Sequence, residues 1–193
     1  KNTSHLGKVT LVEDDLATMN LGKQFDIVYS IGVLHHTDDP NVTFQNIAKH
    51  CRVGGRVIVW VYSNEGNFLN RFALEPIKTL LIHHLPRRVV MGIAHLLTAL
   101  LYIPIYTMYL LPAPRSLGEG GPLHFLPFFE YFQNWRKLSY SRNLLNVFDK
   151  LNAPQTWFIT KKQIERWFDQ EHFTHVHISP YKGVSWRGSG TKT

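Results

Sequence analysis

Two short apolar runs joined by one amphipathic helix dominate the first third of this 193-residue chain. Phe25–Ile31 (Phe-Asp-Ile-Val-Tyr-Ser-Ile) and Arg56–Tyr62 (Arg-Val-Ile-Val-Trp-Val-Tyr) each read as a buried strand, rich in β-branched and aromatic residues. Between them Thr37, Asp38 and Asp39 offer helix caps and Pro40 suits a first turn. Phe44, Ile47, Ala48 and Cys51 then recur at helical spacing, and Gly54-Gly55 is placed to end the helix. Strand, helix and strand, with strands apolar on both sides, imply a parallel sheet covered on both faces. The expected fold class is therefore α/β. Val9–Val12 reads as a further short β-rich run, closed by the acids Glu13, Asp14 and Asp15.

Composition narrows the function classes. An apolar share of 44% with 18% charged residues excludes a disordered chain and a coiled coil. A mean hydropathy of −0.15 is too polar for a protein that crosses a membrane many times. The single cysteine, Cys51, leaves no disulfide framework and no Cys-rich zinc site, and makes a reducing compartment the default. No charged-then-apolar signal peptide opens the chain. The net charge of +7 is unevenly distributed: residues 1–65 carry six Lys/Arg against seven Asp/Glu, and residues 66–193 carry fifteen against seven. A basic excess confined to the later part favours an anionic surface such as phospholipid headgroups, with plain solubility charge as the simpler explanation. Nucleic acid fits less well, because the aromatic residues sit beside apolar runs and are not interleaved with Lys and Arg.

Residues 64–150 interrupt the α/β pattern. They are helical in character, punctuated by prolines at 76, 86, 104, 112, 114, 122 and 127, and carry the aromatics Phe125, Phe128, Phe129, Tyr131, Phe132 and Trp135. Such a length reads as an insertion. Within it Val89–Leu111 runs 23 residues without Asp, Glu, Lys or Arg, flanked by Arg87-Arg88 and Arg115. About 20 apolar residues suffice to span a bilayer, but Pro104, His95 and several Thr and Tyr residues dilute the run. A lone span would also divide one sheet between two sides of a membrane. The expectation is a helical lid lying on a membrane surface, with a spanning helix and a buried lid as the other two readings. Order returns at Thr160-Lys-Lys-Gln163, a helix cap, followed by the stripe Ile164, Trp167 and Phe168. His172–Ser179 alternates as a strand, and Val184–Thr191 reads as a last strand antiparallel to it.

The block Phe25-Asp-Ile-Val-Tyr-Ser-Ile-Gly-Val-Leu-His-His-Thr-Asp-Asp-Pro40, followed by Arg52-Val-Gly-Gly-Arg-Val-Ile-Val-Trp60, resembles the second half of a class I S-adenosylmethionine-dependent methyltransferase of the type 11-like kind. Val53 stands where that family's glycine motif has proline. Val9–Met19 is similar to the preceding acidic element, and Thr160–Phe173 to the family's late helix and strand. The resemblance spans about 1–63 and 145–193. It implies the C-terminal part of a Rossmann-like methyltransferase sheet, mostly parallel with an antiparallel last strand, carrying a helical insertion. The implied organisation is 1–63 as partial core, 64–150 as insertion or lid, and 151–193 as the end of the core.

The resemblance also assigns a site. Open α/β sheets bind ligands beyond the carboxyl ends of their strands. There Asp15 is implied to accept the adenine amine of S-adenosylmethionine and the Leu16 amide to meet a ring nitrogen. Ser30, Ile31 and Gly32 are implied to line the cofactor, with Gly32 allowing close backbone approach. His36 is implied as a general base toward the methyl acceptor. Each has a plainer role: Asp15 capping a turn, Gly32 making a tight turn, and of His35 and His36 one packing and one hydrogen-bonding a backbone carbonyl. No metal is expected: His172, His175 and His177 lack an acidic or thiol partner. Gly118-Glu-Gly-Gly121 has glycine spacing but follows no strand, and Gly188-Ser-Gly-Thr-Lys-Thr193 looks like a phosphate loop but lacks the Gly-Lys-Thr order and a following helix.

The family's glycine-rich loop does not occur in this sequence, so the expectation is a fragment holding half of a cofactor pocket and inactive alone. The expected function is methyl transfer from S-adenosylmethionine to a small, lipophilic acceptor, in a cytoplasmic protein resting peripherally on membrane. The alternative is a non-catalytic, membrane-associated binding protein on a degenerate methyltransferase fold.

Overall fold

The structure is a computed structural model, and it describes residue 7, residues 9–110 and residues 129–193. Its centre is a four-stranded sheet in the order β1-β2-β4-β3, with β1 at Phe25–Ile31, β2 at Cys51–Tyr62, β3 at Phe173–Tyr181 and β4 at Ser185–Lys192. β1 and β2 are parallel, and β4 runs antiparallel to both of its neighbours, β2 and β3. The last strand of the chain is thus the reversed one, as expected, but it lies between two others and not at an edge.

Helix α1 (Pro40–Lys49) makes the crossover between β1 and β2. Asp39 caps it by accepting from the amides of Asn41 and Val42 at 2.8 and 3.3 Å, and Pro40 occupies the first turn, where a missing N–H costs nothing. The helix ends at His50, earlier than the glycines suggest. Gly54 and Gly55 lie inside β2, next to the register shift between Phe25 and Ile27 in the parallel ladder. Helix α6 (Lys161–Gln170) starts on Thr160, whose hydroxyl accepts from the Gln163 amide at 3.2 Å. Gln163 does not complete the reciprocal cap; its side chain donates to Asn41 Oδ1 on α1.

α1 and α6 lie together on one face of the sheet. Phe44 stacks on Trp167 at 5.1 Å and meets Phe168 edge-on, over Val57, Val59 and Val61 of β2. Gly188 and Gly190 of β4 form the floor beneath α6: a Cβ at Gly188 would stand 2.8 Å from a Phe168 ring carbon and 2.9 Å from Ile164. These glycines, which look in sequence like part of a phosphate loop, are where helix meets strand. The opposite face is not closed over β1. Ile27, Tyr29 and Ile31 are 60%, 72% and 55% exposed, and no described element covers them, so the sheet is sandwiched on one side only at this edge. Residues 9–15 form no strand; they are exposed coil with no described neighbour to supply a ladder.

The chain leaves β2 at Ser63 and returns beside it at Ile159, where the two residues form an isolated parallel bridge. In between, wide helical turns at Asn70–Leu74 and Lys78–Ile82 flank α2 (Glu75–Ile77), followed by α3 (Arg87–Pro104), α4 (Phe129–Gln133) and α5 (Tyr140–Asn152). These build a second apolar cluster, including Ile82, Val90, Ala94, Trp135, Val147 and Leu151. Pro104 does not stop the helical path, which continues as wider turns through Ile105–Leu110. Arg87–Thr107 is long and apolar enough to cross a membrane by length and composition, and only 22% of its most apolar stretch is buried. Leu111, Pro112, Pro114, Arg115, Gly118–Gly121, Pro122, Phe125, Pro127 and Phe128 lie outside the described residues.

Candidate functional site

Parallel pairing brings the carboxyl ends of β1 and β2 together, with Ile31 opposite Trp60. Ser30 is buried there, and its hydroxyl has no hydrogen-bond partner among the described residues. Gly32 follows at φ +75°, a conformation that side chains with a Cβ adopt only with strain, and its amide donates to the Trp60 carbonyl at 3.0 Å. The tight turn and the approach to Trp60, which a Gly32 Cβ would meet at 3.4 Å, are the same feature.

A short 3-10 turn, Leu34–His36, sets the two histidines. His35 is 1% exposed, packed between the Tyr62 ring at 4.2 Å and the Trp60 ring at 5.9 Å, and neither ring nitrogen has a partner among the described residues. Burial, helped by the neighbouring His36 and Lys150, lowers its pKa to about 2, so it is neutral at ordinary pH. His36 is half-buried, and its Nδ1 lies 2.8 Å from the Gln155 carbonyl. A carbonyl can only accept, so the proton of neutral His36 sits on Nδ1 and Nε2 keeps its lone pair. One histidine packs and the other binds a backbone carbonyl, which is the plainer of the two arrangements expected; it leaves Nε2 of His36 available as a base. Residues 155–157 strap this loop: the Trp157 amide donates to the His35 carbonyl at 2.8 Å and its indole to the Thr37 carbonyl at 3.0 Å.

Asp15 and Leu16 sit in a separate turn. Asp15 Oδ1 accepts from the Ala17 amide at 2.9 Å, while the Leu16 carbonyl accepts from Asn46 on α1 at 3.0 Å. Asp15 therefore caps a turn, with Oδ2 unpartnered among the described residues, and no hydrogen bond among them links this turn to Gly32. Ser30, Ile31 and Gly32 come together at one strand end with His36 one turn further on; Asp15 and Leu16 make no hydrogen bond to them among the described residues.

A concavity beside these histidines went unread in the sequence. A cavity of about 500 Å³ opens between the end of β2 and the helices of 64–152, with Trp60, Tyr62, Tyr131 and Lys150 in its wall. The Lys150 ammonium, on the last turn of α5, stands 4.6 Å from the Tyr62 ring centre and 5.5 Å from that of Tyr131. Burial pulls its pKa down to about 8 against the opposing charge of Asp149, and pushes the Tyr62 and Tyr131 phenols up. The one available signal was Lys150 sitting inside the apolar spacing Val147, Phe148 and Leu151, where a charge is out of place. Trp60 links both regions: its carbonyl holds Gly32, and its ring lines the cavity. Neither His35 nor His36 is in the cavity wall. Among the described residues no group of three or more His, Cys, Asp or Glu is arranged to hold a metal ion.

An α/β sheet with a ligand-sized crevice at its strand ends describes a large class of enzymes, and comparison narrows it. Residues 1–57 match a family model described as a methyltransferase domain. Among solved structures the chain is similar to a possible exported protein from Bordetella parapertussis, at 12% identity and a TM-score of 0.45, covering 96% of this chain and 45% of that one. The chain thus spans less than half the length of that protein. No curated protein matches it.

Proposed function

We propose that the chain is part of an S-adenosylmethionine-dependent methyltransferase with a Rossmann-like core, and that the cavity beside Trp60 receives the methyl acceptor. The observation that carries this reading is the methyltransferase-domain match over residues 1–57, which contains the Ser30–Gly32 turn. The residues present fit the cofactor's edge: a buried Ser30 hydroxyl without a partner and a glycine at positive φ lie at the carboxyl ends of two parallel strands. Ser30, Ile31 and Gly32 would hold that edge, and the free Asp15 oxygen and Leu16 amide would contact the adenine.

S-adenosylmethionine supplies an electrophilic methyl group on a sulfonium. The chain's own part is alignment, exclusion of water and the handling of one proton. Trp60 joins the turn to the apolar cavity, its carbonyl holding Gly32 and its side chain in the cavity wall, so cofactor and acceptor would meet beside it. His36, with Nδ1–H committed to Gln155, presents the Nε2 lone pair to take a proton from an acceptor hydroxyl or amine. The acceptor is small and lipophilic, in keeping with the aromatic and aliphatic wall. Residues 64–150 act as a lid whose uncovered apolar side rests peripherally on an anionic membrane surface facing the cytoplasm.

The test is transfer of labelled methyl from S-adenosylmethionine by the full-length protein to a panel of lipophilic hydroxyl and amine compounds. Turnover that His36→Gln lowers by about 100-fold supports both the reaction and the base. Turnover unchanged by that substitution removes the base, and no transfer to any acceptor favours the non-catalytic alternative.

A further inference from the structure

The charge of the 500 Å³ cavity is lopsided. Three cations, Arg142, Lys150 and Lys182, line it against a single acid, Asp149. Lys150 is half-buried, packed over Tyr62 and Tyr131, and it has no hydrogen bond or ion pair among the described residues. Asp149 does not serve as its partner: consecutive helical residues point away from each other, and Asp149 is exposed. The contrast with Lys78 is direct. That lysine is fully buried in the same helical region, and its ammonium is satisfied by Glu75 at 2.8 Å and Thr156 at 3.2 Å. Buried charge is ordinarily paired in this way. Two aromatic faces offset part of the desolvation of Lys150 through cation–π attraction, yet ring faces accept no full hydrogen bond. Around it the wall is apolar: Leu74, Leu97, Leu101, Phe132, Val147 and Leu151.

We propose that this cavity binds an amphiphile whose anionic oxygen head, a carboxylate or a phosphate, pairs with Lys150 while its apolar body lies against α3 and α5. A cationic ligand would face three like charges, and a neutral one would leave the ammonium unpaired. The inference deepens the reading of the cavity as the acceptor site by giving the acceptor a charge. It rests on that reading only for the word acceptor; the binding itself needs no cofactor.

The experiment compares decanoate, decyl phosphate and decan-1-ol by quenching of tryptophan fluorescence, since Trp60 and Trp135 line the cavity. It uses the full-length protein without S-adenosylmethionine. A charge-assisted contact in apolar surroundings makes at least one anion bind about tenfold or more tighter than the alcohol, and raised salt narrows that gap. Lys150→Met is expected to erase the preference while changing decan-1-ol binding less than about threefold, and Lys150→Arg to retain it. The better of the two anions identifies the head group. Equal binding of alcohol and anions by the unsubstituted protein overturns the proposal without any variant having to fold. So does an anion preference that survives Lys150→Met. Because no methyl transfer is measured, failure of the catalytic reading leaves this result intact, and a neutral preference here leaves the catalytic reading standing.

Discussion

His35 shows what burial does to one side chain. With both nitrogens unpartnered among the described residues and its pKa lowered to about 2, it is neutral when folded and titrates near 6.5 when the chain unfolds. The sign follows from proton linkage. Above the unfolded pKa neither state binds the proton, and His35 has no effect on the pH dependence. Below it the unfolded state binds the proton and the folded state does not, so stability falls as pH drops from 6.5 toward 2, by at most about 1.4 kcal/mol per unit. His35→Phe, which keeps the ring packing against Tyr62, is expected to flatten the loss of Tm between pH 7 and pH 5. Thermal melts of both proteins across that range check this, and parallel curves would contradict it. His36 differs because its Nδ1 has a carbonyl partner, and the difference between two adjacent histidines was legible only as a pair of possibilities. Which one packs depends on a strap contributed by Gln155 and Trp157, more than a hundred residues away, and no local pattern encodes that.

At the scale of elements, the strand–helix–strand opening was readable because its signals are local: capping by Asp39, Pro40 in the first turn, and the α1 stripe. The end of α1 was not. Gly54 and Gly55 look like a helix stop but serve the ladder between β1 and β2, where a register shift needs room. Val9–Val12 has strand composition without a described partner, and composition alone does not make a ladder. β4 carries the opposite lesson, because Gly188 and Gly190 weaken a strand by propensity and are present for what packs on them. Gly188→Val is expected to destabilise the fold by about 1–3 kcal/mol, the usual cost of overfilling a packed interior. The measurement is chemical denaturation, with Gly7→Val, at a position with open space around it, as control. A Gly188 variant as stable as the control would contradict direct packing of α6 on β4.

At the scale of the whole molecule, the basic excess after residue 65 and an uncovered apolar helix face fall in the same stretch of chain. α3 buries the stripe Val90, Ala94 and Thr98, while Leu96 and Ile103 are 60% and 65% exposed. An exposed apolar helix face near cations suits an interfacial position, each basic residue near an anionic surface contributing about 1 kcal/mol. Co-sedimentation of the full-length protein with anionic vesicles is expected, with release by high salt or carbonate. Retention through both treatments, with release only by detergent, would indicate a spanning helix, and absence of binding would remove the membrane altogether. The long uncharged run was legible in the sequence. The cavity beneath it was not, since its wall joins β2, α3, α4, α5 and the turn between β3 and β4 across more than a hundred residues of chain.

The central claim is that the turn after β1 belongs to an S-adenosylmethionine site. Calorimetric titration of the full-length protein with S-adenosylmethionine tests it most directly, alongside Gly32→Val and Asp15→Ala. The account predicts saturable binding, abolished by a β-branched residue at φ +75° and weakened about 10- to 100-fold by loss of the Asp15 contact. Absence of saturable binding, or full affinity in the Gly32 variant, would contradict it.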